Sequence, residues 1–424
     1  MSGVKSLTAS RLARAGSLLT VLNLATGVIG YLFQVLMGRL LLREDFSIFN
    51  VLMAVVMVAC SPLAAFGLVL TRQVAVIRAA GDNGRLRGLY RIMGERLLLA
   101  SVAGLGLLYL CSPVVRQYLR IRDDVTLWLF GVILVLTAGI FLNNAFLQGL
   151  QRFGWLGGLG VGAAVIKCVL GVLFVTTCGW GLHGALGGVL ATMVCVGLAG
   201  AWSIVQGAVG RGSRDQGMPP FAVRLLAPLV AGNVAFVAMT QLDIVLVNHY
   251  FEPDVSSQYT AASILGKAVL YLPVGIATAI YPMVVENRAR GQGSRDIVAQ
   301  SLTSTLLLCS VAALVYRVAG ASVVTGLFGA GYAQAGPLLA MYGLAMVPMG
   351  VAIVVKHVLI ARGHALFVWL FVAAAAVEVA VIHVWHPSLE AVVAVIALCN
   401  ALLAGIGCCL VAFALDAGHT DSTP

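Results

Sequence analysis

Asp243, Lys267, Lys167 and Glu378 each stand inside an apolar run of about 20 residues, long enough to span a bilayer core as a helix. A charge at the centre of such a run costs about 2.5–3.5 kcal/mol on insertion scales unless it is paired or wetted. Each of the four must therefore find a partner or face a polar cavity. Asp243 and Lys267 lie in consecutive runs, and at about 1.5 Å per residue their depths differ by only about 6 Å, within reach of a lysine side chain. A structural ion pair and a functional one both remain open for them. Lys167, about 18 Å deep, and Glu378, at a similar depth from the other side, have no sequence-local partner and weigh toward function. Arg39 ends the first run, where it either snorkels to headgroups or turns into a cavity.

Polar side chains in the first run add a second pattern. At about 100° per residue, Asn23, Gly27, Gly30 and Gln34 fall within about 60° of one another. One reading is close helix packing, since small residues admit a neighbouring backbone and amides bridge helices. The other is a cavity wall, and the later run that carries Asn233 and Thr240 seven residues apart, on one face, favours it.

Catalytic chemistry finds no foothold. The nine cysteines and seven histidines are scattered, with no CxxC pair or Cys/His cluster, so no metal site is indicated. No GxxxxGK[ST] phosphate-binding sequence occurs. The loops are too short to shape an extramembrane catalytic pocket. The expectation is a protein that is not an enzyme and uses no cofactor, with coupling to an ion gradient left open.

The elements that position these residues are membrane helices. Hydrophobic residues make up 61% of the chain and charged residues 10%, with a mean hydropathy of +1.01, whereas soluble domains carry about 25% charged residues. Twelve spans are expected near 17–37, 49–70, 96–111, 125–147, 155–176, 184–206, 221–247, 258–284, 297–319, 336–355, 365–385 and 390–412. With the N-terminus inside, 18 of the 26 Lys and Arg residues fall on the cytoplasmic side, Lys356 among them, and six on the outer side. That asymmetry fits the positive-inside rule, so the net charge of +10 points to anionic headgroups and not to nucleic acid. The basic start, Lys5 to Arg14, precedes a full-length apolar run and reads as a short interfacial helix rather than a cleaved leader.

An internal repeat organises the spans. At an offset of 210, Asn23 falls on Asn233, Leu32 on Leu242, Val35 on Val245, Leu36 on Leu246, Glu44 on Asp254 and Phe49 on Tyr259; Pro62 and Pro273 follow at 211. Each half holds an even number of spans, so the repeat is parallel. The expected fold is an all-α polytopic membrane protein, with two parallel six-helix repeats around a central cavity. The expected lobes are residues 1–206 and 221–424, joined by a cytoplasmic linker, 207–220, that is rich in Gly and Arg.

Several motifs carry a resemblance. Gly38-Arg39-Leu40-Leu41, the stretch Asp45 to Asn50, Pro62 and Thr71-Arg72-Gln73-Val74-Ala75 resemble the first hairpin of the polysaccharide transporter (O-antigen flippase) family. That family belongs to the multidrug/oligosaccharidyl-lipid/polysaccharide exporter superfamily. Similar too are Leu147-Gln148-Gly149-Leu150-Gln151-Arg152-Phe153, Asp243-Ile244-Val245-Leu246, Tyr259, Leu272-Pro273, Tyr281-Pro282 and Leu327-Phe328-Gly329-Ala330-Gly331-Tyr332. The resemblance implies alternating-access transfer of undecaprenyl-pyrophosphate-linked oligosaccharide across a bacterial inner membrane. The product would be an O-antigen, capsule or exopolysaccharide repeat unit. It further implies lipid-linked oligosaccharide and membrane lipids as partners, with polysaccharide polymerase and export proteins nearby. Twelve spans, without the extra helical pair of lipid II flippases, shift the expectation away from peptidoglycan. On this reading Lys167 and Lys267, assisted by Arg39, take the anionic headgroup, Asn23, Gln34 and Asn233 line the path, and Asp243 or Glu378 holds a counter-charge. A multidrug or organic-cation antiporter of the same superfamily is the alternative, and a membrane glycosyltransferase or polymerase a further one.

The charge asymmetry predicts that residues 78–91 are cytoplasmic and residues 320–335 external. In a cysteine-free background, a membrane-impermeant thiol reagent applied to sealed cells should label a cysteine placed at 333 and spare one placed at 85. Labelling at 85 from outside would invert the topology.

Overall fold

A chain that crosses lipid must satisfy every backbone N–H and C=O internally, and this one does so with helices. The computed structural model describes residues 2–207, 223–290, 293–362 and 366–420. The helices are α1 (Ser2–Leu40), α2 (Arg43–Ala79), α3 (Asn83–Leu110), α4 (Ser112–Leu119), α5 (Asp124–Gly149), α6 (Phe153–Thr176), α7 (Gly181–Gly207), α8 (Val223–Tyr250) and α9 (Pro253–Gly266). A 3-10 turn (Lys267–Tyr271) leads to α10 (Val274–Ala289), followed by α11 (Arg295–Phe328), α12 (Ala335–Ala361), α13 (Leu366–Val384) and α14 (Leu389–Thr420). Twelve segments among the described residues are long and apolar enough to cross a membrane, each overlapping one expected span. The protein is a multi-pass membrane protein. Helix α1 runs unbroken from Ser2, so the basic start is continuous with the first span and forms no separate interfacial helix.

The chain divides into two compact units, Met1–Leu226 and Ala227–Pro424. The expected linker lies outside the described residues beyond Gly207. In the first unit α1 packs on α6, α6 on α7, α7 on α5, and α5 on α2 and α3. In the second, α12 takes the place of α5: it packs on α11, on α14 and on the α9–α10 segment, while α13 packs on α14. Helix α8 meets α13 through Phe236 and Phe371, whose ring centroids lie 6.4 Å apart. Counting spans within each unit, the pairings follow one scheme: first with fifth, fifth with sixth, fourth with second, third and sixth.

The two second spans handle a proline at the same register differently. Pro62 sits inside α2, and the carbonyl of Val58 that it leaves without a backbone partner accepts from Ser61 Oγ at 2.7 Å. The helix continues. At Pro273 the span instead breaks into α9, the 3-10 turn and α10. Carbonyls released by the break are taken locally: Leu272 N donates to Val269 O at 3.3 Å, and Tyr316 Oη from α11 donates to Leu265 O at 2.9 Å. The break sets Lys267 at the start of the turn, which matters for the site.

Within the first unit a satisfied polar chain ties three helices. Tyr90 Oη donates to Asn143 Oδ1 at 2.7 Å, and Asn143 Nδ2 donates to Gly197 O at 2.9 Å, joining α3, α5 and α7. Helices α6 and α7 also approach closely: a Cβ added to Gly188 would lie 2.6 Å from Gly171 Cα. Two backbones touch there, as small residues in membrane helices permit. By contrast, a Cβ on Gly104 meets nothing within 4 Å.

Gly188→Ala should therefore force α6 and α7 apart and destabilise the protein by about 1–3 kcal/mol, as overpacking does. Thermal melting in detergent should show a lower midpoint for Gly188→Ala and none for Gly104→Ala; equal midpoints would contradict the close approach.

Candidate functional site

In the second unit, the 3-10 turn and α8 bring Lys267 and Asp243 into contact, with Nζ to Oδ1 2.9 Å. Depth alone argued that they were within reach; the structure adds what surrounds them. Asp243 Oδ2 accepts from Tyr259 Oη at 2.9 Å, Ser263 Oγ at 3.1 Å and Tyr342 Oη at 2.6 Å. Four donors from α9, the turn and α12 thus converge on one carboxylate that is 1% exposed. A buried carboxylate met by four donors has its hydrogen-bonding capacity satisfied. Lys267 is committed to it, and its ammonium also lies 5.7 Å from the Tyr342 ring centroid.

Glu378 on α13 joins this group. It is 1% exposed and close enough to interact electrostatically with both Asp243 and Lys267. Its Oε2 has no hydrogen-bond partner among the described residues. A buried carboxyl oxygen without a donor is costly, and it is relieved by taking up a proton or a cation. The second unit thus holds two acidic side chains and one lysine in a single buried cluster, one acid satisfied and one not among the described residues.

The first unit holds the same positions with different chemistry. Phe33 and Phe49 stand 210 residues before Asp243 and Tyr259, and Lys167 stands 211 before Glu378. Phe33 and Phe49 pack edge to face at 5.9 Å where the second unit has its carboxylate and phenol. Lys167 Nζ lies 4.7 Å from the Phe33 centroid. Among the described residues Lys167 has no carboxylate partner and no hydrogen bond. Its charge is held by a ring quadrupole alone.

Helix α1 presents three faces. Leu22, Thr26 and Phe33 pack against α6 glycines: a Cβ on Gly157 would lie 2.5 Å from Leu22, one on Gly160 3.3 Å from Thr26, and one on Gly171 2.7 Å from Phe33. Val21, Leu24, Val28 and Leu32 are exposed, as lipid contact requires. The stripe of Asn23, Gly27, Gly30 and Gln34 lies about a quarter turn from the packed face. Asn23 is exposed, and a Cβ on Gly27 or Gly30 meets nothing within 4 Å. The stripe does not serve helix packing. Gln34 Oε1 is buried with no hydrogen-bond partner among the described residues. Arg39 falls with Val21, Val28 and Leu32, away from the stripe, and is exposed. On α8 the matching face is more enclosed: Asn233 is half-buried, and Thr240 is buried with its hydroxyl turned back to Phe236 O at 2.9 Å.

Three features were invisible in the sequence. Lys356, placed there on the cytoplasmic side just past the tenth span, lies within α12, with Nζ 4.7 Å from the Phe236 centroid and 5.7 Å from that of Phe371. Helix α12 continues to Ala361, past the end of its most apolar stretch. Three histidines that are dispersed in sequence gather around Tyr250. His386 stacks on its ring at 3.9 Å, His249 lies edge-on at 4.8 Å, and His383 Nδ1 meets its hydroxyl. A cavity of about 200 Å³ in the first unit is lined by Asp45, Arg122, Asp123, Trp180 and His183. There Asp123 caps α5 by accepting from Thr126 N at 2.7 Å and pairs with His183 Nε2 at 3.0 Å. Partial burial pushes the Asp123 carboxyl up, but the bonds from Thr126 and His183 outweigh it and hold the group below the usual carboxylate range. Among the described residues no cluster has the ligands for a metal ion.

A family model of polysaccharide biosynthesis proteins matches residues 12–288. No curated protein matches the chain. Among solved structures, an inward-facing multidrug resistance MATE family transporter of the MOP superfamily is 15% identical, with 96% of each chain covered and a TM-score of 0.74. Lipid II flippase MurJ in an inward closed conformation is 13% identical, covering 94% of this chain and 87% of its own, with a TM-score of 0.73. A MOP superfamily transporter from Pyrococcus furiosus is 15% identical over 96% and 94% of the two chains, with a TM-score of 0.62. At such identities the likeness establishes the fold, which is that of MOP superfamily transporters.

The geometry of the acid cluster predicts a non-additive pair. Lys267→Gln strands a bonded carboxylate, and removing one partner of a buried pair costs about 3–5 kcal/mol. Melting in detergent should show a large drop for Lys267→Gln and for Asp243→Asn, with much of it recovered in the double variant. Additive losses would mean that the two charges do not depend on each other.

Proposed function

The chain belongs to the polysaccharide biosynthesis protein family, and on that premise we propose that it is a flippase for lipid-linked oligosaccharide. Its substrate class is undecaprenyl-pyrophosphate-linked repeat units of O-antigen, capsule or exopolysaccharide, moved from the inner to the outer leaflet of a bacterial inner membrane by alternating access. Both termini face the cytoplasm in this reading.

One observation carries it: Lys167, within a membrane helix, has an aromatic ring and, among the described residues, no carboxylate against its ammonium. A lone cation at that depth is compensated by an anion from outside the protein, and a pyrophosphate headgroup is a concentrated one. The glycine and amide stripe of α1 supports the reading, because exposed Asn23 and a buried, unbonded Gln34 oxygen suit sugar hydroxyls better than acyl chains. Asn233 is assigned the matching role on α8. Arg39, on the lipid side of α1, contacts headgroups at the membrane surface. Lys267 holds Asp243 and so acts on the substrate through the shape of the second unit. Glu378, with its unbonded oxygen, is the group whose protonation or cation binding couples to the conformational cycle. Such coupling works only if the cation binds the two states unequally.

In a strain whose own flippase is deleted, wild-type protein should restore surface glycan, and Lys167→Ala should lower it at least about tenfold at equal protein level, the loss of about 1.4 kcal/mol of headgroup binding or more. Lys167→Arg should retain most of the activity. Full complementation by Lys167→Ala would remove the cationic headgroup from the mechanism.

A further inference from the structure

Lys356 is a second ammonium on a membrane helix that no carboxylate answers among the described residues. It sits on α12, about 7.5 Å from the helix end at 1.5 Å per residue, and is half-buried. A lysine so near a helix end ordinarily extends to the water and the headgroups. Here the side chain is turned instead against two phenylalanine rings, Phe236 of α8 at 4.7 Å and Phe371 of α13 at 5.7 Å. Among the described residues no acceptor takes any of its three N–H groups. The rings attract the charge by their quadrupoles but accept little from the donors, which are left to an acceptor outside the protein.

The arrangement repeats that of Lys167. In each unit one lysine rests 4.7 Å from a phenylalanine of that unit's first helix, Phe33 on α1 and Phe236 on α8. The partners come by different routes, Lys167 from the fifth span and Lys356 from the fourth, so this is a shared chemistry and not a copied residue. Lys267 provides the contrast inside the same unit: with Asp243 against it, its charge is internally balanced. Of the two lysines in the second unit, Lys356 is the one whose charge is available.

We infer that Lys356 is an anion-binding residue of the second unit, its aromatic backing fixing the ammonium so that its donors meet a phosphate oxygen of a pyrophosphate group. The inference rests on the flippase reading for the source of that group, the headgroup of a lipid-linked saccharide, since free pyrophosphate offers the same oxygens. Arginine should serve at this position, because a guanidinium stacks on aromatic rings and still donates to phosphate.

The test uses the full chain in nanodiscs of neutral lipid. In one arm inorganic pyrophosphate is titrated by calorimetry; in the other, undecaprenyl pyrophosphate is included in the disc and retained lipid is read by native mass spectrometry. Lys356→Gln should weaken binding at least about tenfold in the lipid arm, while Lys356→Arg stays within about threefold of wild type. Phe236→Leu, which keeps the charge and removes its backing, should fall between them and serves if Lys356→Gln does not fold. Loss in both arms assigns Lys356 to the phosphate oxygens themselves, and loss in the lipid arm alone to the lipid-borne group. Wild-type binding unchanged in Lys356→Gln and in Phe236→Leu overturns the inference and leaves the flippase reading intact. A wild-type protein that binds neither probe removes the pyrophosphate-lipid reading, and the inference with it.

Discussion

One carboxylate organises the second unit. Asp243, with 1% of its surface exposed, is held in a membrane protein by Tyr259, Ser263, Lys267 and Tyr342. An ionised acid without such partners would be prohibitively expensive there. The demand reaches outward through the helices that supply the donors. Tyr342 fixes the rotation of α12, around which the rest of the unit packs. Tyr259 and Ser263 fix α9, and Lys267 must stand where the second span breaks before Pro273. Glu378, near the same pair but with an unbonded oxygen, is the part of the cluster left unsatisfied. A satisfied acid and an unsatisfied one thus stand in the same cluster.

The first unit shows what the same scaffold does without that acid. Phe33 and Phe49 occupy the register of Asp243 and Tyr259, and an edge-to-face aromatic contact replaces the hydrogen bond. Lys167 occupies the register of Glu378. One unit therefore presents a cation backed by rings, and the other a carboxyl group beside an ion pair. It is on this division that the proposed function places an anionic headgroup in one unit and a coupling proton or cation in the other, carried on helices that pair in the same order.

Much of this was legible in the sequence because hydropathy and depth are one-dimensional. All twelve spans follow from apolar run length, and Asp243 and Lys267 could be matched because they lie at similar depth in consecutive spans. What escaped depended on lateral packing. Nothing along the chain says that Tyr342, 99 residues away, reaches Asp243, or that Glu378 approaches the same pair. Lys356 escaped for another reason: hydropathy marks where the apolar stretch ends, and α12 continues past it. For the α1 stripe, periodicity found the residues, but only the open surroundings of Gly27 and Gly30 argued against a packing seam. The grouping of His249, His383 and His386 around Tyr250 likewise needed the fold.

The central claim is that the protein moves a lipid-linked oligosaccharide across a bilayer. The direct measurement is transfer in sealed proteoliposomes, with undecaprenyl-pyrophosphate oligosaccharide placed in the outer leaflet and its loss to an impermeant glycan-cleaving reagent followed in time. The account predicts protein-dependent protection that is slowed at least about tenfold by Lys167→Ala, equivalent to 1.4 kcal/mol or more. Protection that requires neither the protein nor Lys167 would contradict it.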